Sequence, residues 1–325
     1  MLLYKANLIM LNDHDVTFVI QGLVLDTTKT TVSSIRKIFP ESYIILSTWI
    51  GQDTASISVD KIIENDDVGG TVTRYNKYSK PHTVNVNRQI VSSFNGLKSV
   101  DTKYAVKIRS DNGLISRGML KYFNVFDEHR DPNYTIFKQR IVTSNYFAKE
   151  YMKGLNIPFY ISDFFQFGET KDLIDLWDVE LFDNYFFNNG LNGKLQHENV
   201  PFRQHHIEQK LWLKFINKYS RVELKDKFGD RELRKLSYKY MLNNVVIVDG
   251  DLLGLSVPQR LEQDDGFPYE NFTYLRWHYL YKKYFYISED ISKRIKFKWF
   301  IAMVYRFFRR GWKSYLKGVF DSIKT

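Results

Sequence analysis

The sequence predicts an α/β fold: a mostly parallel central sheet flanked by helices, followed by a basic amphipathic helical segment. Three observations carry this. The runs "VTFVIQGLV" (16–24) and "SYIILSTWIG" (42–51) are continuously apolar instead of alternating, the pattern of strands buried on both faces. Between them "TTKTTVSSIRKIFP" sets Val32, Ile35 and Phe39 at helical spacing and stops at Pro40. Strand, helix and strand at this distance make a right-handed βαβ unit with parallel strands.

The remaining elements follow in order. Residues 52–83 are polar and irregular, with Gly69-Gly70 as a turn. "NVNRQIVSSFNGLKSV" reads as a helix capped by Asn85 or Asn87, with Ile90, Val91, Phe94 and Leu97 on one face. It leads into the strand "YAVKIRSD" (104–111), then a helix around 114–123 and short strands in "RIVTSNYF" and "PFYISDFFQFG". "TKDLIDLWDVELFDNYF" and "IEQKLWLKFINKY" are amphipathic helices, and "NNVVIVDGD" (243–251) is the final strand. No internal repeat or low-complexity linker interrupts the chain, so residues 1–289 form one α/β domain and 290–325 a C-terminal extension.

Charge is uneven. Of the net +10, most lies between Asp290 and Thr325, which hold ten basic and two acidic residues. A near-neutral body with a basic appendage argues against a surface that wraps nucleic acid. The absence of cysteine removes disulfides and zinc–thiolate sites. No stretch reaches the roughly 18 apolar residues of a membrane span. The N-terminal residues lack a secretory pattern, so a cytoplasmic location is expected.

Several catalytic signatures are missing: GxGxxG after the first strand, GxxxxGK[ST], HExxH and GxSxG. The histidine-rich "HENVPFRQHHIEQ" matches no zinc spacing and reads more simply as a loop running into a helix. The polar strand ends and helix starts are more informative. Gln21 and Gly22 close the first strand, Asn87 and Arg88 open a helix, and Arg109 and Asp111 close the strand at 104–111. A helix N-terminus with an arginine beside it is a seat for a diphosphate. Asp111 would hold a ribose hydroxyl or a divalent cation, although no second carboxylate accompanies it. The plainer alternative for Arg109 and Asp111 is a solvated or mutually paired strand end.

"VTFVIQG", "SSIRKIFPESYIILSTWIGQD", "NVNRQIVSSFNGLKSV", "YAVKIRSD", "SDFFQFG", "DLIDLW" and "WHYLYKKY" occur in an order that resembles the WavE lipopolysaccharide synthesis family, over roughly residues 15–286. The resemblance implies a glycosyltransferase with a GT-A type Rossmann-like domain, moving sugar from a nucleotide-sugar onto a bacterial lipopolysaccharide or capsule acceptor. It implies that Gln21 and Gly22 face the base with Thr48 and Trp49 beside them, and that Asn87 and Arg88 lie against the diphosphate. Arg109 and Asp111 then occupy the place of an Asp-x-Asp motif. Arginine in place of the first aspartate leaves Asp111 as the one candidate ligand for Mg or Mn and puts metal dependence in doubt.

Two acids are candidates for catalysis. Asp163, among aromatic residues, suits acceptor binding or deprotonation, with a turn cap as the alternative. Glu208 opens a helix, the position at which the resemblance to inverting GT-A enzymes implies a base; the alternative is that it simply complements the helix dipole. The rival functions are a non-catalytic membrane-associated scaffold of a polysaccharide assembly complex, and a nucleotidyl or phospho-sugar transferase.

In the extension, Arg306, Arg310, Lys313 and Lys317 fall on one helical stripe, and Ile301, Tyr305, Phe308 and Trp312 on the opposite side. This pattern predicts a helix lying in the interface at the inner face of the bacterial inner membrane, near a lipid-linked or polysaccharide acceptor. The alternative is a helix that docks its apolar face on the core and leaves its cations in water.

Overall fold

The continuously apolar runs become neighbouring strands of one sheet. The computed structural model describes residues 11–75, 80–152, 154–184, 205–259, 261, 270–288, 291–308 and 312. Its elements begin with β1 (Val16–Gln21), α1 (Thr28–Ile38), β2 (Tyr43–Trp49), β3 (Lys61–Asn65), β4 (Thr71–Tyr75), β5 (Pro81–Val84), α2 (Val86–Lys98) and β6 (Tyr104–Arg109). Next come β7 (Gly113–Leu114), β8 (Ile141–Ser144), β9 (Tyr151–Met152), β10 (Leu155–Asn156), β11 (Phe165–Glu169), α3 (Thr170–Trp177) and α4 (Ile207–Ile216). The described chain continues through α5 (Arg231–Asn244), β12 (Val245–Val248), α6 (Gly250–Leu253), β13 (Leu255–Ser256) and the helices Tyr274–Tyr284 and Lys293–Arg306.

Seven strands form the central sheet in the order β12-β8-β11-β6-β1-β2-β3. All neighbours are parallel except β11, which runs antiparallel to both β6 and β8. The chain steps outward from β1 to β2 and β3, then returns on the other side of β1 as β6. That reversal is a topological switch point, and ligands of open α/β sheets sit outside the carboxyl ends of such strands.

Both sheet faces are covered, which is why the strands read as unbroken apolar runs. On one face α2 lies on β1 and β2. A Cβ at Gly96 would come within 2.5 Å of Val19 Cγ1 and 2.9 Å of Ser47 Cβ, so a side chain there would lift the helix. Trp177 of α3 covers Lys107 on the same face. On the other face Phe39 packs on Phe18 and Phe123 on Phe167, with ring centroids 5.0 and 4.7 Å apart.

Four sequence expectations are corrected. The stretch 52–83 is not irregular: it holds β3 at the sheet edge and the β4–β5 hairpin. Those strands are short and largely solvent-facing, so their own residues lack the apolar pattern and pairing defines them. The helix expected at 114–123 is only the 3₁₀ turn Gly118–Tyr122, where Gly118 passes too close to the Leu252 carbonyl for any side chain. "FYIS" is a buried loop, and the strand starts at Phe165, so Asp163 stands before a strand and not after one. The helix from Thr170 ends at Trp177, well short of the expected 186.

Candidate active site

The carboxyl ends of β1 and β6, the N-terminus of α2 and the start of α4 enclose a cleft of about 500 Å³. This is the size range of sites for small-molecule ligands. Gln21, Gly22, Trp49, Arg88, Arg109, Asp111, Asp163 and Glu208 all line it. Gly22 has φ +122°, a conformation that side-chain-bearing residues rarely adopt, and a Cβ there would meet Ser110 Oγ at 3.2 Å. Gln21 accepts a 2.9 Å hydrogen bond from Ser92, in the middle of α2, which fastens that helix to the strand end.

The two remaining donor-site candidates are turned elsewhere. Asn87 donates to the Phe182 carbonyl and accepts from the Phe182 N–H, both at 2.8 Å. It fastens the segment after α3 and does not line the cleft. Thr48 is fully buried and its carbonyl accepts from Asn65 Nδ2 at 2.7 Å.

Arg88 is held differently from the sequence expectation, while Arg109 is paired with Asp111, the plainer of the two alternatives for that strand end. Arg88 donates through Nε and Nη2 to Asp67, both at 2.6 Å, and through Nη1 to Asn85. The Arg88 hydrogen bonds hold the Asp67 carboxyl at about 2. All three nitrogens are engaged, so Arg88 forms cleft wall more than open anion seat. Arg109 pairs in a fork with Asp111 at 2.8 and 2.9 Å, and its guanidinium stacks 4.8 Å from the Phe164 ring. Asp111 is almost wholly buried beneath this pair. Arg109 Nη1 has no partner among the described residues, and in this cleft it is the donor best placed for an anion.

These contacts bear on the expected cation site. Both carboxylate oxygens of Asp111 accept from Arg109, and among the described residues no group of three or more His, Asp and Glu is gathered that could hold a metal. The residues present at this strand end do not fit Mg or Mn, which need several oxygen ligands. His197 and Glu198 of the histidine-rich stretch lie outside the described residues.

Asp163 and Glu208 face the cleft together, one from the loop before β11 and the other from the first turn of α4. Burial, reinforced by the negative charge of Asp163, pushes the Glu208 carboxyl up to about 8, against a hydrogen bond from Tyr160. At neutral pH Glu208 is therefore mostly protonated and able to donate a hydrogen bond into the cleft.

Lys107 is the residue that sequence reasoning missed. It lies on β6 in a run read as core, with no measurable exposure. Its Nζ donates to the backbone carbonyl of Asp163 and sits 4.5 Å from the centroid of Trp177. Burial brings its ammonium down to about 7, partly offset by the Asp163 charge. A lysine inside "YAVKIRSD" was the available signal, since a sheet face covered by a helix has no water for it. Thr143 Oγ1, donating to the carbonyls of Ser162 and Phe165, fixes the same loop from β8.

Of the predicted membrane-facing residues, Arg310, Lys313 and Lys317 lie outside the described residues. Arg306 is placed against the body, its guanidinium 3.9 Å from the Tyr151 ring centroid. Trp312 is half-exposed. Arg306 therefore turns to the body, where the sequence expectation has it facing a membrane and the alternative has it in water.

Comparison with known families matches residues 16–313 to the family described as WavE lipopolysaccharide synthesis. Comparison with curated proteins gave no match.

Proposed function

The chain belongs to the WavE lipopolysaccharide synthesis family, and we propose that its part in lipopolysaccharide synthesis is glycosyl transfer from a nucleotide-sugar. The observation that carries this reading is one cleft, at the switch point of a mostly parallel sheet, in which an arginine fork and a pair of acids stand together. The sheet architecture supports the GT-A type assignment without depending on a metal motif.

In this reading the nucleoside lies along Gln21, Gly22 and Trp49, and the diphosphate meets Arg109. Asp163 takes the proton of the acceptor hydroxyl as its oxygen attacks the anomeric carbon. The bond from that carbon to the diphosphate oxygen breaks, and the electron pair leaves with the nucleoside diphosphate, whose charge Arg109 offsets. Protonated Glu208 donates a hydrogen bond to a sugar hydroxyl and orients it. Lys107 holds the Asp163 loop from beneath.

A panel of UDP-, GDP-, CMP- and TDP-sugars, read by thermal shift and by donor hydrolysis, tests the proposal. One donor is expected to raise the melting temperature and to be slowly hydrolysed. Stabilisation by none, with no turnover, would refute glycosyl transfer and favour a scaffold.

A further inference from the structure

The helix Lys293–Arg306 carries most of its large aliphatic and aromatic residues on the side away from the protein. Trp299, Ala302 and Arg306 share one face at helical spacing. The Trp299 ring packs 4.8 Å from Tyr279 and 5.4 Å from the Arg276 guanidinium, Ala302 is buried, and Arg306 covers Tyr151. At Gly154 a Cβ would meet the Arg306 carbonyl at 2.6 Å, so backbone lies on backbone here. The opposite face carries Phe297, Ile301, Val304 and, one turn on, Phe308. Phe297 is 63% exposed, Ile301 46% and Phe308 70%, with Phe300 beside them at 52%. Tyr286, in the turn before this helix, has φ +56° and stands 96% exposed.

A water-facing stripe of this kind is costly unless something covers it. The flanking charges indicate what does. Lys293, Arg294, Lys296 and Lys298 are all exposed around the first turns, and no acidic residue occurs from Ile291 to Phe308. An aromatic stripe edged by cations, on a helix lying along the body, matches the interface of an anionic bilayer: rings enter the acyl boundary while lysine and arginine reach phosphate. No helix among the described residues is long and apolar enough to cross a membrane. We propose that the outward face of Lys293–Arg306, with Phe308, docks the protein on an anionic lipid surface with the helix axis in the membrane plane. This inference does not depend on the reading of the cleft. It also reverses the arrangement that the tail sequence predicts, because the Arg306 side is the one held by the body.

Flotation of the full chain with vesicles tests it. With phosphatidylcholine containing one-third phosphatidylglycerol, the wild type is expected to float with the lipid. Partition should fall at least about tenfold with phosphatidylcholine alone or in high salt. The double variants Phe297→Ser/Phe308→Ser and Lys296→Glu/Lys298→Glu should each lose about tenfold in partition while keeping the wild-type melting temperature, because these side chains face water. Should a variant fail to fold, hydrogen exchange across 293–308 of the wild type decides the point, and protection on adding the anionic vesicles is expected. Wild type that stays in the aqueous phase, or variants that bind as well as wild type, would overturn the proposal. So would a dimer in light scattering that dissociates in Phe297→Ser/Phe308→Ser and binds no vesicles, which would assign the face to a second copy.

Discussion

Glu208→Gln separates a protonated glutamic acid from a general base. In the folded protein the Glu208 carboxyl titrates near 8, against an ordinary glutamate value of 4.5. Below the ordinary value both the folded and unfolded states hold the proton. Between about pH 4.5 and 8 the unfolded chain releases it and the folded protein keeps it, so folding stability falls as pH rises through that window and then levels off. By pH 7 the interval amounts to ~2.5 pH units, an upper limit of roughly 3–4 kcal/mol at ~1.4 kcal/mol per unit. Glutamine keeps the shape and the hydrogen-bond donor without the titration. The variant should therefore match wild type near pH 4.5 and exceed it at pH 7.5 by a few kcal/mol, read as about 5 °C in melting temperature. Its turnover should stay within about tenfold of wild type, because a neutral donor remains in place. Parallel stability curves across pH 4.5–8 would refute the burial argument. Loss of turnover by about 100-fold or more would make Glu208, not Asp163, the base.

Asp163→Asn should fold normally and lose at least about 100-fold in turnover with little change in donor affinity, measured by single-turnover kinetics and calorimetry. Arg109→Ala should weaken nucleotide-sugar binding more than nucleoside binding and destabilise the fold by a few kcal/mol, since it removes the guanidinium fork from the buried Asp111 carboxylate. Arg88→Ala, whose side chain is tied to Asp67, should cost much less donor affinity; equal losses for the two arginines in calorimetry would refute this division. Lys107→Met keeps the volume against Trp177 and should fold. Its kcat should fall about tenfold with KM nearly unchanged, and the acidic limb of its pH profile should move if Lys107 positions Asp163.

Much of the cleft is legible in the amino-acid sequence. Continuous apolarity in 16–24 and 42–51 signals strands covered on both faces, and polar residues where such strands stop fall at the carboxyl edge of the sheet. Gln21, Gly22, Arg109 and Asp111 are identified by this reasoning, Asp163 by residue type and position, and Trp49 and Glu208 through the family resemblance.

What the sequence determined by itself is the set of properties that arise between near neighbours: β-branched runs, helical spacing, the glycine after β1 and the basic tail. The family is carried by the ordered sequence blocks matched over residues 16–313 and not by these patterns. The tertiary structure decided which partner each charge meets. Arg88 reaches 21 residues back to Asp67, Asn87 is spent on Phe182, and Glu208 comes to face Asp163 from a separate element. It decided too that β11 runs against its neighbours and that the outer face of Lys293–Arg306 is the aromatic one. The physical reason is common to all of these. Burial, desolvation and ion pairing depend on distances through space that chain closure sets, and no local pattern of residues encodes them.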